Sequence, residues 1–297
     1  MTKVAGRTAF ITGGGSGVAL GQAKVFAQAG CKVAIVDIRQ DHLDEAMAWF
    51  EGRGHDVMAV KLDITDRDAY ERAADAVEAK LGPVELLFNT AGVSIFGPLQ
   101  NATYDDWDWQ LDVNLKGVIN GIQTFVPRMI ERGKGGHIVN TASMSAFVAL
   151  KGTGIYCTSK MAIRGLSECL ALDLADHGIG VSMLCPGAVN SNIHEAVLTR
   201  PAHLQSTGYY GADPDVMAHL KQVIAVGMEP EVLAQYVLKG VEADQLYILP
   251  YPEFRGTLED IHERVMTSLA KPEDDPDYEK RVAHGVPGGE KREKVDS

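Results

Sequence analysis

Thr8-Ala9-Phe10-Ile11-Thr12-Gly13-Gly14-Gly15-Ser16-Gly17 is the stretch that decides the fold. A short apolar run with strand-forming residues enters a glycine-rich turn. Beyond it, residues 23–29 continue with helical character and stop at Gly30. A strand that passes through glycines into a helix leaves unpaired backbone N–H groups at the positive end of that helix, and a pyrophosphate suits such a place. Thr12, Gly13, Ser16, Gly17 and Val18 are therefore candidate cofactor contacts. A glycine-rich turn alone is weak grounds for a dinucleotide site, and the segments that follow supply the rest.

Lys32 to Asp37 reads as a second strand, Asp41 caps the next helix, that helix ends near Gly52 and Gly54, and residues 57–63 form a third strand. This is a βαβαβ half. Asp37 lies twenty residues after Gly17 (37 − 17) at the end of strand two. A carboxylate there accepts hydrogen bonds from ribose hydroxyls and repels a 2′-phosphate, which predicts NAD over NADP. Arg39, close by, works against that preference. Two other roles stay open: Asp37 as a strand-end cap, and Asp63, at the end of strand three, as either a turn residue or a contact to the adenine amino group.

Alternation continues. Asp66 starts a helix that ends near Leu81-Gly82, residues 86–89 are strand four, and a long helical stretch runs from about Asp105 to Arg132. Strand five precedes Ser143, a helix runs on toward His177, residues 180–185 are strand six, and residues 246–249 are strand seven. Such alternation predicts an α/β fold, a doubly wound parallel sheet flanked by helices, in one domain over residues 1–270. The connection at residues 190–228 is too long for a simple link and reads as a substrate lid. Residues 271–297 are charged and rich in proline and glycine, as expected of a tail.

Composition narrows the function. With 297 residues, 45% of them apolar, the chain has ample core. Its formal net charge of −12 disfavours nucleic acid and anionic membrane as partners. No apolar run approaches the roughly 18 residues of a membrane helix, and the N-terminus lacks a signal-peptide core, so a cytoplasmic location is expected. Cys31, Cys157, Cys169 and Cys185 form no Cys-x-x-Cys pair, and no His-x-x-x-His occurs, so reduced thiols and no metal site are expected.

Chemistry enters at Tyr156-Cys157-Thr158-Ser159-Lys160. Of nine tyrosines, only Tyr156 has a lysine four residues on. A phenol and an ammonium at i, i+4 share one helix face, and a nearby cation favours the phenolate. An i, i+4 pair alone is more often an ordinary surface pair. Ser143, thirteen residues upstream (156 − 143), puts a hydroxyl at the carboxyl end of a buried strand, where open α/β sheets bind ligands.

With these pieces assembled, the chain resembles the short-chain dehydrogenase/reductase family from about Gly6 to Pro250. The motifs that carry the resemblance are Thr12-Gly13 with Gly17, Asn89-Thr90-Ala91-Gly92, Asn114, Ser143, Tyr156 with Lys160, and Pro186-Gly187, all in the family's order. The resemblance implies a seven-stranded Rossmann-type sheet in the order 3-2-1-4-5-6-7 and a catalytic tetrad of Asn114, Ser143, Tyr156 and Lys160. It extends the NAD contacts to Asp63, Ile64, Asn89, Ala91, Gly92, Pro186, Gly187, Val189 and Ser191, and it has Lys160 also holding the ribose hydroxyls. Ala19, Thr90 and Ala146 depart from the common pattern without removing a chemical group. By the same resemblance the subunits pair into a homodimer or homotetramer.

The expected pocket edges are residues 93–96, including Ser94 and Phe96, residues 144–150, including Ser145 and Phe147, and the lid residues Ile193, Leu198, Leu204, Tyr209, Tyr210 and Met217. These are largely apolar and suit a bulky aromatic or alicyclic secondary alcohol or its ketone. Equally, they pack the lid onto the body. Ser191-Asn192-Ile193-His194-Glu195, Arg200-Pro201 and the stretch 246–252 are similar to segments of bacterial Cα-dehydrogenases, which oxidise the benzylic alcohol of lignin β-aryl ether dimers. A hydroxysteroid or other cyclic-alcohol dehydrogenase and a non-catalytic dinucleotide sensor are the competing readings.

Overall fold

The structure, a computed structural model, describes residues 2–205, 208–211 and 222–284. Contacts divide the chain into two compact units, residues 1–252 and 253–297. Composition places the break near residue 271, but Arg255–Thr267 is an ordinary-looking helix by sequence and yet buries none of its residues. Pattern alone does not separate it from the body.

In the first unit the strands are β1 (Thr8–Thr12), β2 (Lys32–Asp37), β3 (Val57–Lys61), β4 (Val84–Asn89), β5 (Gly136–Thr141), β6 (Ile179–Leu184) and β7 (Tyr247–Ile248). They form one sheet in the order β3-β2-β1-β4-β5-β6-β7, and every pairing is parallel. Helices α1 (Gly17–Gln28), α2 (Gln40–Phe50), α3 (Arg67–Leu81), α4 (Tyr104–Leu111), α5 (Gly117–Arg132), α6 (Gly154–Leu174) and α7 (Pro230–Glu242) make the crossovers. All five residues of β1 and all six of β5 are buried, as a parallel sheet covered on both faces requires. Under α3 and α5, Phe10 meets Phe125 with ring centroids 4.8 Å apart and Tyr70 at 5.6 Å. On α1, Gly21 lies so close to α7 that a Cβ would come within 2.5 Å of the Pro230 carbonyl oxygen.

Strand order reverses between β1 and β4, which opens a crevice at their carboxyl ends. Asp37 ends β2 at that edge, and the glycine turn, Thr90 to Gly92, Ser143 and Pro186-Gly187 follow strands there. Between α4 and α5 the helix is not regular. Asp112–Lys116 is a π turn, one residue wider than an α turn, and Asn114 sits in it.

The expected lid leaves and returns at one point. Val189 pairs with Met228, and the Asn190 N–H and Met228 N–H donate to the Met228 and Ala188 carbonyls at 3.0 and 2.9 Å. Its first part consists of the short 3-10 helices Ile193–Thr199, Ala202–Leu204 and Gly208–Gly211.

Candidate active site

The candidate cofactor groove starts at the β1 turn. Gly13 has φ +71°, and a Cβ there would lie 2.9 Å from Ala91 Cα, so the turn and the β4 end touch backbone to backbone. The Thr12 hydroxyl donates to the Phe88 carbonyl at 3.1 Å and accepts from the Thr90 and Ala91 N–H groups at 2.9 and 3.1 Å. Thr12 therefore fixes the floor of the groove. Ser16 stands before α1 without a side-chain bond to it, and the first-turn N–H groups of Gly17 and Val18 have no partner within the helix. That is a cradle of the kind a pyrophosphate fills.

Asp37 is 9% exposed. Its Oδ2 accepts from Gly15 N–H at 3.1 Å and its Oδ1 from Arg39 N–H at 3.0 Å. These are the bonds of the strand-end cap, and they set the carboxylate beside the glycine turn. Asp63 accepts from the Thr65 N–H and hydroxyl at 2.9 and 2.7 Å, an ordinary turn. Ile64 packs into the core, with Gly117 beneath it, and its carbonyl takes the Asn120 amide at 2.8 Å. Asn89 is likewise buried and donates to Asn140 Oδ1 at 2.9 Å. On the opposite wall, Ser191 lies 3.0 Å from where a Gly17 Cβ would be. Val189 is buried at the lid base, and the Pro186 carbonyl accepts from Met144 N–H at 2.8 Å beside half-buried Gly187.

The candidate reactive groups stand between β5, α6 and the loop after β4. Ser143 Oγ accepts from Ser145 N–H at 3.1 Å and lies 3.4 Å from the Pro186 carbonyl. Tyr156 shares α6 with Lys160, whose Nζ is 5.6 Å from the tyrosine ring centroid and donates to the Thr141 carbonyl at 2.9 Å. Lys160 is 4% exposed. Burial pushes its ammonium down to about 8, and burial likewise pushes the Tyr156 phenol up to about 12, with the Ser143 hydroxyl acting the other way. Burial outweighs the Ser143 hydroxyl, and Lys160 is not among the groups that shift the phenol.

Asn114, 1% exposed, accepts from Val93 N–H at 2.8 Å and donates to the Val93 carbonyl at 2.9 Å and to Ser159 Oγ at 3.2 Å. It braces the loop from Gly92 to Phe96 against α6. A Cβ on Gly92 would lie 3.2 Å from Asn114 Oδ1 and 3.6 Å from Lys160 Nζ, so glycine keeps these groups adjacent.

The pocket residues divide. Phe96 faces the Tyr156 ring edge-on with centroids 6.0 Å apart. Ser94 Oγ is buried without a hydrogen-bond partner among the described residues. Ser145 stands beside Ser143 through its N–H, and half-buried Ile193 opens the first 3-10 turn of the lid. Phe147 instead lies against Tyr247 at 6.3 Å with the Arg164 guanidinium 4.3 Å from its ring. Tyr209 is buried with Val93, Ile95, Trp109 and Ile155, and its hydroxyl donates to the Pro98 carbonyl at 2.6 Å. For Tyr209 the packing role open at the sequence level is the observed one. Met217 lies outside the described residues.

Sequence patterns miss the two ties that hold the lid down. Arg200 NH1 meets Asp106 Oδ1 at 2.8 Å with both side chains at 0% exposure. Asp106 also accepts from the Thr103 N–H and hydroxyl and from Tyr209 N–H. Burial would raise its carboxyl, but these bonds hold it below the usual carboxylate range. Further along, Glu195 Oε2 meets Arg39 NH1 at 2.8 Å. The pattern Thr103-x-x-Asp106 before an apolar run was a signal for the first as a capping box, though not for its lid partner.

Known proteins match this arrangement. Residues 7–201 match the family model described as short chain dehydrogenase. The Cα-dehydrogenase of Sphingobium sp. strain SYK-6 is 47% identical over 272 residues, spanning 91% of this chain and 89% of that protein. The crystal structure of apo LigO from the same strain superposes with TM-score 0.81 at 51% identity and covers 96% of both chains. A short-chain dehydrogenase/reductase from Burkholderia phymatum, solved in complex with NAD, superposes with TM-score 0.85 at 31% identity over 93% of this chain and 99% of that one.

Proposed function

The chain belongs to the short-chain dehydrogenase family, and from that premise we propose that it oxidises a bulky secondary alcohol to the ketone with NAD, the alcohol being the benzylic Cα hydroxyl of an aromatic β-aryl ether. The observation that carries this reading is the grouping of Tyr156, Ser143 and the buried Lys160 ammonium beside the cradle of the β1 turn. Asp37 at the turn supports NAD over its 2′-phosphorylated form, since a phosphate there meets a carboxylate.

When bound, NAD supplies the hydride acceptor and a positively charged ring. The chain's own residues handle the proton. Ser143, its oxygen fixed by Ser145 N–H, directs the hydroxyl that holds the substrate oxygen. Tyr156 takes the substrate proton. Because burial favours the neutral phenol, the anion needs positive charge nearby, and Lys160 provides it on the same helix face. One of its three donors goes to the Thr141 carbonyl, which aims the ammonium along the crevice. Asn114 acts as a brace for the loop that carries Phe96.

An aromatic ether as substrate is supported by the name of the 47% identical Sphingobium relative and by Phe96, whose ring stands edge-on to Tyr156. We also infer cytoplasmic work as a homodimer or homotetramer. Among the described residues no helix is long and apolar enough to cross a membrane. Ile119, Ile122, Leu166 and Leu170 line a groove between the outer faces of α5 and α6, and Leu172 beside it is 79% exposed.

The test is incubation of the pure protein with NAD and racemic benzylic aryl ethers, followed at the NADH absorbance, with Tyr156→Phe as partner experiment. Tyr156→Phe should still bind NAD while kcat falls by on the order of 100- to 10,000-fold. Near-normal turnover in that variant, or no NADH from any benzylic ether, overturns the reading.

A further inference from the structure

Arg39 follows Asp37 by two residues and has the charge to receive a 2′-phosphate, yet its guanidinium is already engaged. NH1 meets Glu195 Oε2 at 2.8 Å, while Nε donates to Asp41 Oδ1 at 3.1 Å and NH2 meets Asp41 Oδ2 at 2.5 Å. Asp41 is a local partner in the first turn of α2. Glu195 is not: it comes from the lid, 156 residues away in the chain. His42 Nε2 lies 3.9 Å from the same Glu195 oxygen, and His42 is buried.

This cluster sits on the glycine turn. A Cβ on Gly15 would lie 2.7 Å from His42 Cβ and 3.0 Å from Asp37 Oδ2. Two residues on, Gly17 touches Ser191 at the root of the lid. The carboxylates of Asp37, Asp41 and Glu195 and the cation of Arg39 thus stand around one end of the groove. With His42 neutral, their formal charges sum to −2.

We propose that Glu195 is a coenzyme-discriminating residue carried by the lid: it occupies the Arg39 guanidinium and adds a negative charge at the adenosine end, so that a 2′-phosphate finds neither a free cation nor a neutral wall. The inference rests on the dinucleotide reading of the groove and deepens it, since the resemblance gives the preference to Asp37 alone.

The experiment measures dissociation constants of NADH and NADPH by titration of the full chain, for the native protein, Glu195→Gln, Glu195→Asp and the double variant Arg39→Ala/Glu195→Gln. Glu195→Gln removes one charge and releases NH1, and the affinity ratio of NADPH to NADH should rise roughly tenfold, the scale of one charge–phosphate contact at an exposed site. Glu195→Asp keeps the charge but retracts it from Arg39, and should give a smaller rise. In the double variant the rise should be clearly smaller, because only the part due to the lost carboxylate remains once the guanidinium is gone. An unchanged ratio in Glu195→Gln, or a rise just as large without Arg39, overturns the proposal. A native protein that binds neither coenzyme would overturn the dinucleotide reading itself, a different failure.

Discussion

Replacing Lys160 by Met should make the coenzyme-free protein more stable while removing its activity. Lys160 is 4% exposed, and burial brings its ammonium from the ordinary 10.5 down to about 8. That difference of 2.5 (10.5 − 8) corresponds to roughly 3 kcal/mol of cost for holding the charge. Losing the bond to the Thr141 carbonyl gives back about 1 kcal/mol, so Lys160→Met gains ~2 kcal/mol at pH 7. The sign follows from proton linkage. Between pH 8 and 10.5 the unfolded chain holds the lysine proton and the folded chain does not, so native stability rises with pH across that window. Below pH 8 the whole cost is present. The variant lacks this rise, so its advantage should shrink through the window and vanish or reverse near its upper end. Urea denaturation of both proteins without coenzyme at pH 7, 8.5 and 10 measures the gap. A variant equal to or weaker than the native chain at pH 7, or a gap independent of pH, would refute the reasoning.

Other perturbations address the lid. Asp106→Asn leaves the fully buried Arg200 guanidinium facing a neutral amide, a loss of roughly 3–5 kcal/mol for a broken buried pair; amide hydrogen exchange over residues 200–209 should quicken and KM should climb, while unchanged exchange would show that the pair is no anchor. Gly97→Ala puts a methyl 2.3 Å from Tyr209 Cε1, so the ring must move off the Pro98 carbonyl at a cost of about 1–3 kcal/mol. Its readout is protease sensitivity at the lid, which should rise with the NADH dissociation constant little altered.

What was legible in the chain was what local patterns encode. The strand at Lys32–Asp37 reads off the sequence residue for residue, and the other six are found within a few positions, because buried parallel strands are apolar runs bounded by turn residues. Their spatial order came from the family resemblance, since spacing does not say which strand lies beside β1. Tyr156, Lys160 and Ser143 were legible for the same local reason: i, i+4 on a helix, and the end of a strand. Asp106 with Arg200 and Arg39 with Glu195 were not, being 94 and 156 residues apart. Nothing periodic links such partners, and each alone looks like a solvated charge. The contacts of Phe147 were hidden for a related reason, as position after Ser143 does not reveal that its ring lies against Arg164 and Tyr247.

The π turn at Asp112–Lys116 carries one residue more than an α turn would. Deleting Asp112 or Val113, which precede Asn114 in it, would let the α4–α5 rod become regular, a gain for the backbone. The same edit would swing Asn114 about 100° around the rod axis, away from both polar atoms of Val93, and leave the strip through Phe96 unsupported. Either deletion should therefore yield a sturdier rod and a ruined catalyst. A surplus amino acid that looks like an imperfection is what turns the carboxamide inward.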